Sequence, residues 1–506
     1  MMAATQHQES ICLSELLEGF VSIAVDDDRE ITSIQTDSRK LNKDDLFIAM
    51  QGVEDHGLTF LADVLALGAT AVLYDSDDAS DYLNLIDQYK DKLLMLAVDD
   101  LRDIAGQVID RFYLSPSEKM HVVAVTGTDG KTSVTRFLAQ AMSSKTTAAV
   151  IGTTGNGVWG SIKPATHTTP DVLNLHKLFF ELAEQQTEFV AVEVSSHGID
   201  QKRIAGVSID TAVLTNVSRD HLDYHGSVEN YRAVKKQLFA LPGVKNRVIN
   251  IDDATGVELA KQYEKDTSTW VYGFDGFAKE FSNFICVEDI KAHAKGFKVS
   301  LKTSLGDMAL NVPLLGRFNV SNVLSVIAVQ LINDINLQKA VKNIEMLTTA
   351  PGRMECFQAK NKPSIVVDYA HTPKALELAL VSLREHFSGR VWCVFGCGGN
   401  RDQGKRALMG EQAENHSDIS IITDDNPRDE SSNDIVAQVL TGFNNTENAI
   451  IINDRRKAIE YACDNAAAND VVLIAGKGHE EYQIIGDVKK PFSDRQIVQR
   501  CLGGVR

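Results

Sequence analysis

The sequence predicts an α/β protein of three domains. Short, wholly apolar segments recur along the chain and alternate with segments of helical spacing, the pattern of parallel sheets covered on both faces. Several of those segments run straight into glycine-rich or polar turns, as in "VVAVTGTDGKTS", "EFVAVEVSSHG" and "VVLIAGKGHE". The 506 residues suffice for roughly three domains at ~150 residues each.

Taken in order, residues 1–103 read as a small α/β unit. "ITSIQTDSRKLNKDDLFIAMQG" holds two strand-like stretches around a polar turn, and "FLADVLALGATAVLYD" reads as helix, turn at Gly68, and strand. Residues 104–349 open on an amphipathic helix, "LRDIAGQVIDRFY", followed by the strands "VVAVTG", "TAAVIG", "EFVAVEVSS" and "TAVLTNV" with helices between them. "GFKVSLKTSLGDMALNVPLLG" alternates about a Gly-Asp turn and predicts a hairpin, and "NVSNVLSVIAVQLI" returns to helical spacing. Residues 350–506 repeat the alternation through "SIVVDYA", "PKALELALVSLREHF", "RVWCVFGCGG", "ISIITDDN" and "VVLIAGKG".

Composition narrows the function. Lys and Arg number 51 against 69 Asp and Glu, a net charge of -18, without the basic footprint of a nucleic-acid binder. A small anionic substrate stays compatible, held by local cations and backbone N–H groups with Mg²⁺ offsetting its charge. Seven scattered cysteines (Cys12, Cys286, Cys356, Cys393, Cys397, Cys463, Cys501) predict free thiols in a reducing compartment. "MMAATQHQES" lacks the basic and apolar regions of a signal peptide, and no apolar run approaches the ~18 residues of a membrane span. The expectation is a cytoplasmic protein with no nucleic-acid or membrane partner, and nothing demands more than a monomer.

"TGTDGKTS" lies between a strand and a helix. Gly127 and Gly130 permit tight turns, so that successive N–H groups and the helix N-terminus face an anion. Lys131 can reach the β- and γ-phosphates, and Thr132 or Ser133 can ligate Mg²⁺. Val125 stands where the longer phosphate loop has its first glycine. Glu193 ends a strand, where a carboxylate can hold Mg²⁺; a solvated loop residue is the alternative. His221, in "NVSRDHLDYHG", also follows a strand and is either structural or a ligand. In "YRAVKKQLFALPG", Tyr231, Val234, Leu238 and Phe239 form an apolar stripe with Lys235 beside it. The plain reading of Lys235 is a stem that snorkels past the core.

In the last domain Arg353 is either a ligand or a surface arginine. Asp368 either takes ribose hydroxyls or caps the helix after Pro373. "CGGNRDQGKR", "DDNPRDE" and "GKGHEEYQ" are polar turns after strands. They offer Arg401, Asp425 with Arg428, and Glu480. Charges of both signs on one sheet edge suit a zwitterion, with bidentate Arg for its acid group.

"GTDGKTS", "EVSSHG", "NVSRDHLD", "GRFNVSN", "PGRME", "DYAHTP" and "GKGHE" occur in the order found in Mur ligases, and the resemblance runs over roughly residues 35–495. Mur loops use the shorter G-T-x-G-K-T/S form, which accounts for Val125. Asp129 stands where the family usually has Asn or His. The resemblance implies an N-terminal small α/β UDP-binding domain (1–103), a central P-loop-type parallel-sheet ATPase domain (104–349) and a C-terminal Rossmann-like α/β domain (350–506).

Within the family the residues are most similar to the ligases that add a diamino acid as third residue of the stem peptide. The resemblance implies ATP and Mg²⁺ as cofactors, and UDP-MurNAc-L-Ala-D-Glu and meso-diaminopimelate as partners. It implies ATP contacts at Gly127, Thr128, Asp129, Gly130, Lys131, Thr132, Ser133, Asn319, Arg353 and Asp368. Contacts to the UDP-muramyl dipeptide fall on Ser38, Thr168, Thr169, Ser195, Gln201 and Arg203, while His167 stands where a better-known member has Asn. "DNPR" is the family's diaminopimelate signature, implying Arg401, Asp425, Asn426, Pro427, Arg428, Gly476 and Glu480 for that amino acid. Lys131, Glu193, His221 and Lys235 match catalytic positions, with Thr132, Glu193, His221 and a carbamylated Lys235 at magnesium; this reverses the plain reading of Lys235.

Two rivals are weighed. A folylpolyglutamate synthase usually has Gly or Ser after the loop lysine and lacks both the DNPR turn and this first domain. A nucleotide-dependent switch gives no reason for the charged turns of the last domain.

Overall fold

The computed structural model describes residues 10–52, 55–218, 220–274 and 276–503; most of the N-terminal stretch read for a leader lies outside them. The chain forms two compact units, Met1–Val271 with Phe281–Asn283, and Tyr272–Glu280 with Phe284–Arg506.

The first unit carries two main sheets and a short antiparallel pair, Ile11–Cys12 with Glu30–Ile31. The small one takes β1 (Ser33–Gln35), β2 (Asp45–Ala49), β3 (Ala71–Asp75) and β4 (Leu94–Val98), parallel neighbours in that order. Helix α1 (Leu61–Leu67) stops at Gly68, whose N–H donates to the Leu65 carbonyl and whose φ of 80° turns the Ala69 N–H back to the Val64 carbonyl. The amphipathic helix α2 (Leu101–Phe112) buries Leu101, Ala105, Val108 and Ile109 among Ile34, Leu46, Leu73 and Leu96 of this small sheet.

The larger sheet uses β5 (His121–Thr126), β6 (Ala148–Gly152), β7 (Gly155–Val158), β8 (Phe189–Glu193), β9 (Thr211–Leu214) and β10 (Asn246–Asn250). Their spatial order is β10-β9-β5-β8-β6-β7, parallel except for the β6–β7 hairpin. Helix α3 (Lys131–Met142) follows β5 directly. Strand β5 is central, and the chain leaves it first to one side and later to the other. In such open sheets ligands bind beyond the carboxyl ends of the strands at this switch point.

The second unit begins with an antiparallel set: β11 (Asn283–His293), β12 (Gly296–Thr303) and β13 (Met308–Val312), which includes the predicted hairpin. Helix α7 (Arg317–Ile332) is apolar nearly all round and buried accordingly. The six-stranded sheet orders β14 (Glu355–Phe357), β15 (Ser364–Asp368), β19 (Val471–Ala475), β16 (Val391–Phe395), β17 (Ile419–Ile422) and β18 (Ala449–Ile451), parallel apart from edge strand β14. Alternate residues enter opposite cores: Val366, Cys393 and Leu473 on one face, and Ile365, Val367, Val394 and Val472 on the other. Both faces are dry, so the strands read as unbroken apolar runs. Each such buried Val, Leu or Ile contributes ~1.5–3 kcal/mol.

Candidate active site

Val125 is fully buried and sits in register with Glu193 on β8 and Val213 on β9, so the phosphate loop begins only at the strand end. A Cβ on Gly127 would fall 1.8 Å from Thr215 Oγ1, which leaves room for glycine alone. Gly130 adopts φ 85° and opens α3 without a side-chain cap. The first turn of that helix therefore presents its N–H groups, with the dipole, to the loop. The loop is tied to the exit of β9: Thr128 N–H donates to the Asn216 carbonyl at 2.8 Å, Asp129 N–H to Asn216 Oδ1 at 3.1 Å, and Thr215 Oγ1 to the Asp129 carbonyl at 2.6 Å. Lys131 Nζ folds over the loop onto the Gly127 and Thr128 carbonyls, at 2.9 and 2.8 Å. Asp129, the family oddity, is exposed, and its backbone alone is built into the cradle.

Glu193 is not a solvated loop residue. It is 1% exposed and accepts from Thr132 Oγ1 at 2.9 Å, Thr153 N–H at 2.8 Å and Thr153 Oγ1 at 3.1 Å. Burial pushes its carboxyl above the usual range, opposed by the Lys131 ammonium and these hydrogen bonds. A buried carboxylate beside the hydroxyl of the loop threonine fits a divalent cation, which would stabilise the charged form.

The same strand end gathers the muramyl-dipeptide candidates. Thr169, buried, donates from Oγ1 to the Glu193 carbonyl at 2.9 Å and accepts from Ser195 N–H at 3.0 Å. Thr168 Oγ1 lies within hydrogen-bond distance of Thr153 Oγ1, at 3.0 Å. Ser195 caps α5 (Ser196–Asp200). Arg203 donates to the Thr169 carbonyl at 2.8 Å and with two nitrogens to Gln201 Oε1, at 3.0 and 2.7 Å. Ser38 lies apart from these, buried at the start of a 3-10 turn on the small sheet, behind the Asp37–Arg39 pair.

The snorkelling reading of Lys235 is overturned. Helix α6 (Val228–Gln237) turns Lys235 inward with Tyr231 and Val234, leaving it 1% exposed. Its Nζ donates to the Gly127 carbonyl at 2.8 Å and lies 4.6 Å from the centre of the Tyr231 ring. Burial, with Lys131 beside it, lowers its pKa from 10.5 to about 6. Tyr231 also reaches the loop, its hydroxyl 3.1 Å from Thr128 Oγ1. His221 stands at φ 50°, half exposed, against Asp220 at 3.4 Å and the ring of His197. No contact joins it to Glu193 or Lys235, and among the described residues no three His, Cys, Asp or Glu converge as a ready metal cluster.

In the second unit, Asp368 accepts from Met354 and Ala370 N–H groups at 2.7 and 2.8 Å, and burial pushes its carboxyl up. It does not cap the following helix; Thr372 caps α8 (Pro373–His386). Arg353 is half-buried over the Tyr369 ring at 4.6 Å, with Nε enclosed and unpartnered, so it is no plain surface arginine. Asn319 is buried in the first turn of α7, donating to the Leu315 carbonyl at 2.8 Å.

The amino-acid candidates do meet. Asn426 Nδ2 lies 3.3 Å from Glu480 Oε2. A Cβ on Gly476 would touch Asp425 Oδ2 at 2.8 Å, so the exit of β19 presses on the exit of β17. Arg428, at φ 51°, donates to the Gly399 carbonyl at 2.7 Å. Arg428 and Arg401 both flank Gly398, whose Cβ would meet Arg428 Nη1 at 3.1 Å and Arg401 Cγ at 3.6 Å. Pro427 is buried in the same turn and takes the Glu430 N–H. Thr153, Tyr231 and Lys477 carry contacts that the sequence pattern does not announce. For Lys477 a signal existed: a second Gly-Lys after an apolar strand, as in the phosphate loop.

Three family models match the chain: "Mur ligase family, catalytic domain" over 30–113, "Mur ligase middle domain" over 125–330, and "Mur ligase, glutamate ligase domain" over 352–478. A UDP-N-acetylmuramoyl-L-alanyl-D-glutamate--2,6-diaminopimelate ligase of Coxiella burnetii is 41% identical over 491 residues, covering 97% of this chain and 99% of the relative. The ligase of that name from Alkalilimnicola ehrlichii is 42% identical over 494 residues, covering 97% and 98%. A solved structure of an enzyme of this name aligns with TM-score 0.75 at 33% identity, covering 98% of this chain and 99% of that one.

Proposed function

This chain belongs to the Mur ligase family, and from that premise we propose that it joins meso-2,6-diaminopimelate to UDP-N-acetylmuramoyl-L-alanyl-D-glutamate at the expense of ATP. One observation carries the reading beyond family membership: Asp425, Asn426, Arg428 and Glu480 converge at neighbouring strand exits beside Gly476 and Arg401. This constellation suits a substrate with ammonium and carboxylate groups at both ends.

The chemistry follows from what an amide requires. A carboxylate must be activated, so the D-glutamate γ-carboxylate attacks the ATP γ-phosphorus in line and ADP leaves. The neutral amine of the diamino acid then adds to the acyl carbon, and phosphate leaves from the tetrahedral intermediate. Phosphoryl transfer is catalysed mainly by positioning and charge neutralisation. The loop glycines and the α3 N-terminus hold the phosphates, and Lys131 offsets their charge. Thr169, Ser195, Gln201 and Arg203 orient the dipeptide next to Glu193. Arg353 and Asp368 match nucleotide contacts of the family. Magnesium, when bound, would supply charge neutralisation and a template, with Thr132 and Glu193 as protein ligands. Lys235 would join them as a carbamate, and His221 would need to turn toward them.

No helix among the described residues is long and apolar enough to cross a membrane. A cytoplasmic monomer, acting where ATP and UDP-linked precursors are found, is the corollary of the reading. The test is to incubate the protein with UDP-dipeptide, ATP, Mg²⁺ and either meso-diaminopimelate or L-lysine, and to look for tripeptide by mass. The reading expects product with diaminopimelate; no product with either amine overturns the ligase, and preference for lysine overturns the choice of amino acid.

A further inference from the structure

Lys477 has no solvent exposure, yet its ammonium lies inside the cluster just described. Nζ donates to Glu480 Oε2 at 2.7 Å and to Asn426 Oδ1 at 3.1 Å, and stands 3.6 Å from Asp425 Oδ1. Its position is imposed by the backbone. Gly476 takes φ 116° at the exit of β19, and the next residue must enter beneath the Asp425 turn.

We infer that Lys477 is a positioning residue for the amino-acid substrate, setting the charge and orientation of Asp425, Asn426 and Glu480. The inference rests on the proposed amino-acid site. The first argument is charge. A buried cation is costly unless paired, and Lys477 faces two carboxylates. At the Lys477 end of the cluster two carboxylates against one ammonium leave one negative charge over, which an incoming substrate ammonium can match, while Arg428 and Arg401 stand at the Gly398 end. Another buried cation, Arg455, is matched by Asp494 at 2.8 Å and donates to the Ala475 carbonyl.

The second argument is orientation. Asn426 Oδ1 accepts from both Lys477 Nζ and the Ile484 N–H, at 3.1 and 2.9 Å. An ammonium has donors and no acceptor, so it holds the amide with oxygen inward and NH₂ toward Glu480. The same ammonium fixes Glu480 by a single oxygen, Oε2. Removing it would free both side chains and leave the carboxylates to repel one another.

The test measures KM for each substrate in the native enzyme, Lys477→Met and Lys477→Gln, with folding checked by circular dichroism. Hydrogen bonds to charged groups are worth about 10- to 150-fold in binding. Lys477→Met should raise KM for meso-diaminopimelate at least tenfold. KM for ATP and for the UDP-dipeptide should stay within twofold, and kcat within tenfold. Lys477→Gln, which keeps a donor but no charge, should fall between the two. An unchanged KM for diaminopimelate overturns the inference, as does an equal loss for all three substrates. Loss of fold by both variants assigns the lysine to stability alone and also overturns it. Native enzyme inactive with diaminopimelate would instead overturn the substrate reading first.

Discussion

Lys235 Nζ lies 2.8 Å from the carbonyl oxygen of Gly127, 108 positions earlier in the chain, and donates to it. A lysine from α6 is thereby locked to the first glycine of the phosphate loop. The Tyr231 ring lies 4.6 Å away, so among the described residues burial is answered by a carbonyl and a π face, with no carboxylate in contact. With its pKa lowered to about 6, this amine is mostly neutral at pH 7. A neutral amine can add CO₂ with loss of a proton, which turns it into an anionic carbamate beside the phosphate loop.

The first prediction concerns that conversion. Lys235→Ala should lose at least ~10²-fold in kcat, the scale of removing one preorganised electrostatic group. Added short-chain carboxylates should restore part of the rate by occupying the vacated space. Native activity in the variant would show that the lysine only packs.

The second concerns Glu193 and Gly152. A Cβ at position 152 would fall 2.1 Å from Glu193 Oε1, although Gly152 needs no left-handed backbone. Gly152→Ala should therefore displace the carboxylate while sparing the strand. Misplacing a positioning group by ~1 Å costs about 10²-fold, read here as a fall in kcat with a raised Mg²⁺ requirement. A variant with native kcat and native Mg²⁺ dependence would separate Glu193 from catalysis.

These two sites show what the sequence made legible. Strand, turn, Gly-Lys-Thr and helix are local, so the cradle, its place at a strand end and the buried parallel sheets could be read from residue order. The three alternating blocks likewise forecast most strands of the three main sheets, but not β4, β7, β10, β14 or β18. What residue order could not carry is the direction of a side chain on a helix. Lys235 and Lys236 are adjacent and identical, yet one is buried at the loop and the other pairs with Glu258 on the surface. Only packing of α6 decides between them. Thr153 stayed silent and the Gly-Lys of Lys477 gave only a hint, because their partners Glu193 and Asn426 lie 40 and 51 residues away. Asp368 was equally undecided, because Thr372, four residues on, is just as good a cap and takes that role.

The third prediction separates the two diamino acids. Arg428 is held by the Gly399 carbonyl at 2.7 Å in a left-handed conformation, with Arg401 nearby. Lysine at 428 would keep the charge but lose the planar fork. Arg428→Lys should cost ~1.5–3 kcal/mol in binding meso-diaminopimelate, about 10- to 150-fold in kcat/KM. Turnover of L-lysine, which lacks the distal carboxylate, should change little. Equal losses for both amines would remove Arg428 from recognition.

The last prediction is a pH dependence of stability in the second unit. His386, at the end of α8, is buried against the Phe297 ring. Its Nε2 accepts from Gly316 N–H at 3.0 Å, so Nδ1 carries the proton and donates to the His293 carbonyl at 2.9 Å. The bond from Gly316 requires the neutral ring: a proton on Nε2 would break it, while the Nδ1 bond would persist. Burial accordingly lowers the pKa below 6.5, opposed by the hydrogen bond to the His293 carbonyl and by the Glu385 carboxylate. Between the folded pKa and 6.5 the unfolded chain binds a proton that the folded protein refuses. Stability therefore rises with pH across that window; the contribution is fully present above 6.5 and is lost as pH falls through it. Glutamine at 386 can donate and accept in the same directions without titrating. His386→Gln should flatten the fall of the urea midpoint below pH 6.5. His56, His121 and His479 are also lowered by burial and add slopes of the same sign, so the readout is the difference between native and variant curves. Parallel curves would mean that His386 titrates as freely in the folded protein as in the unfolded chain.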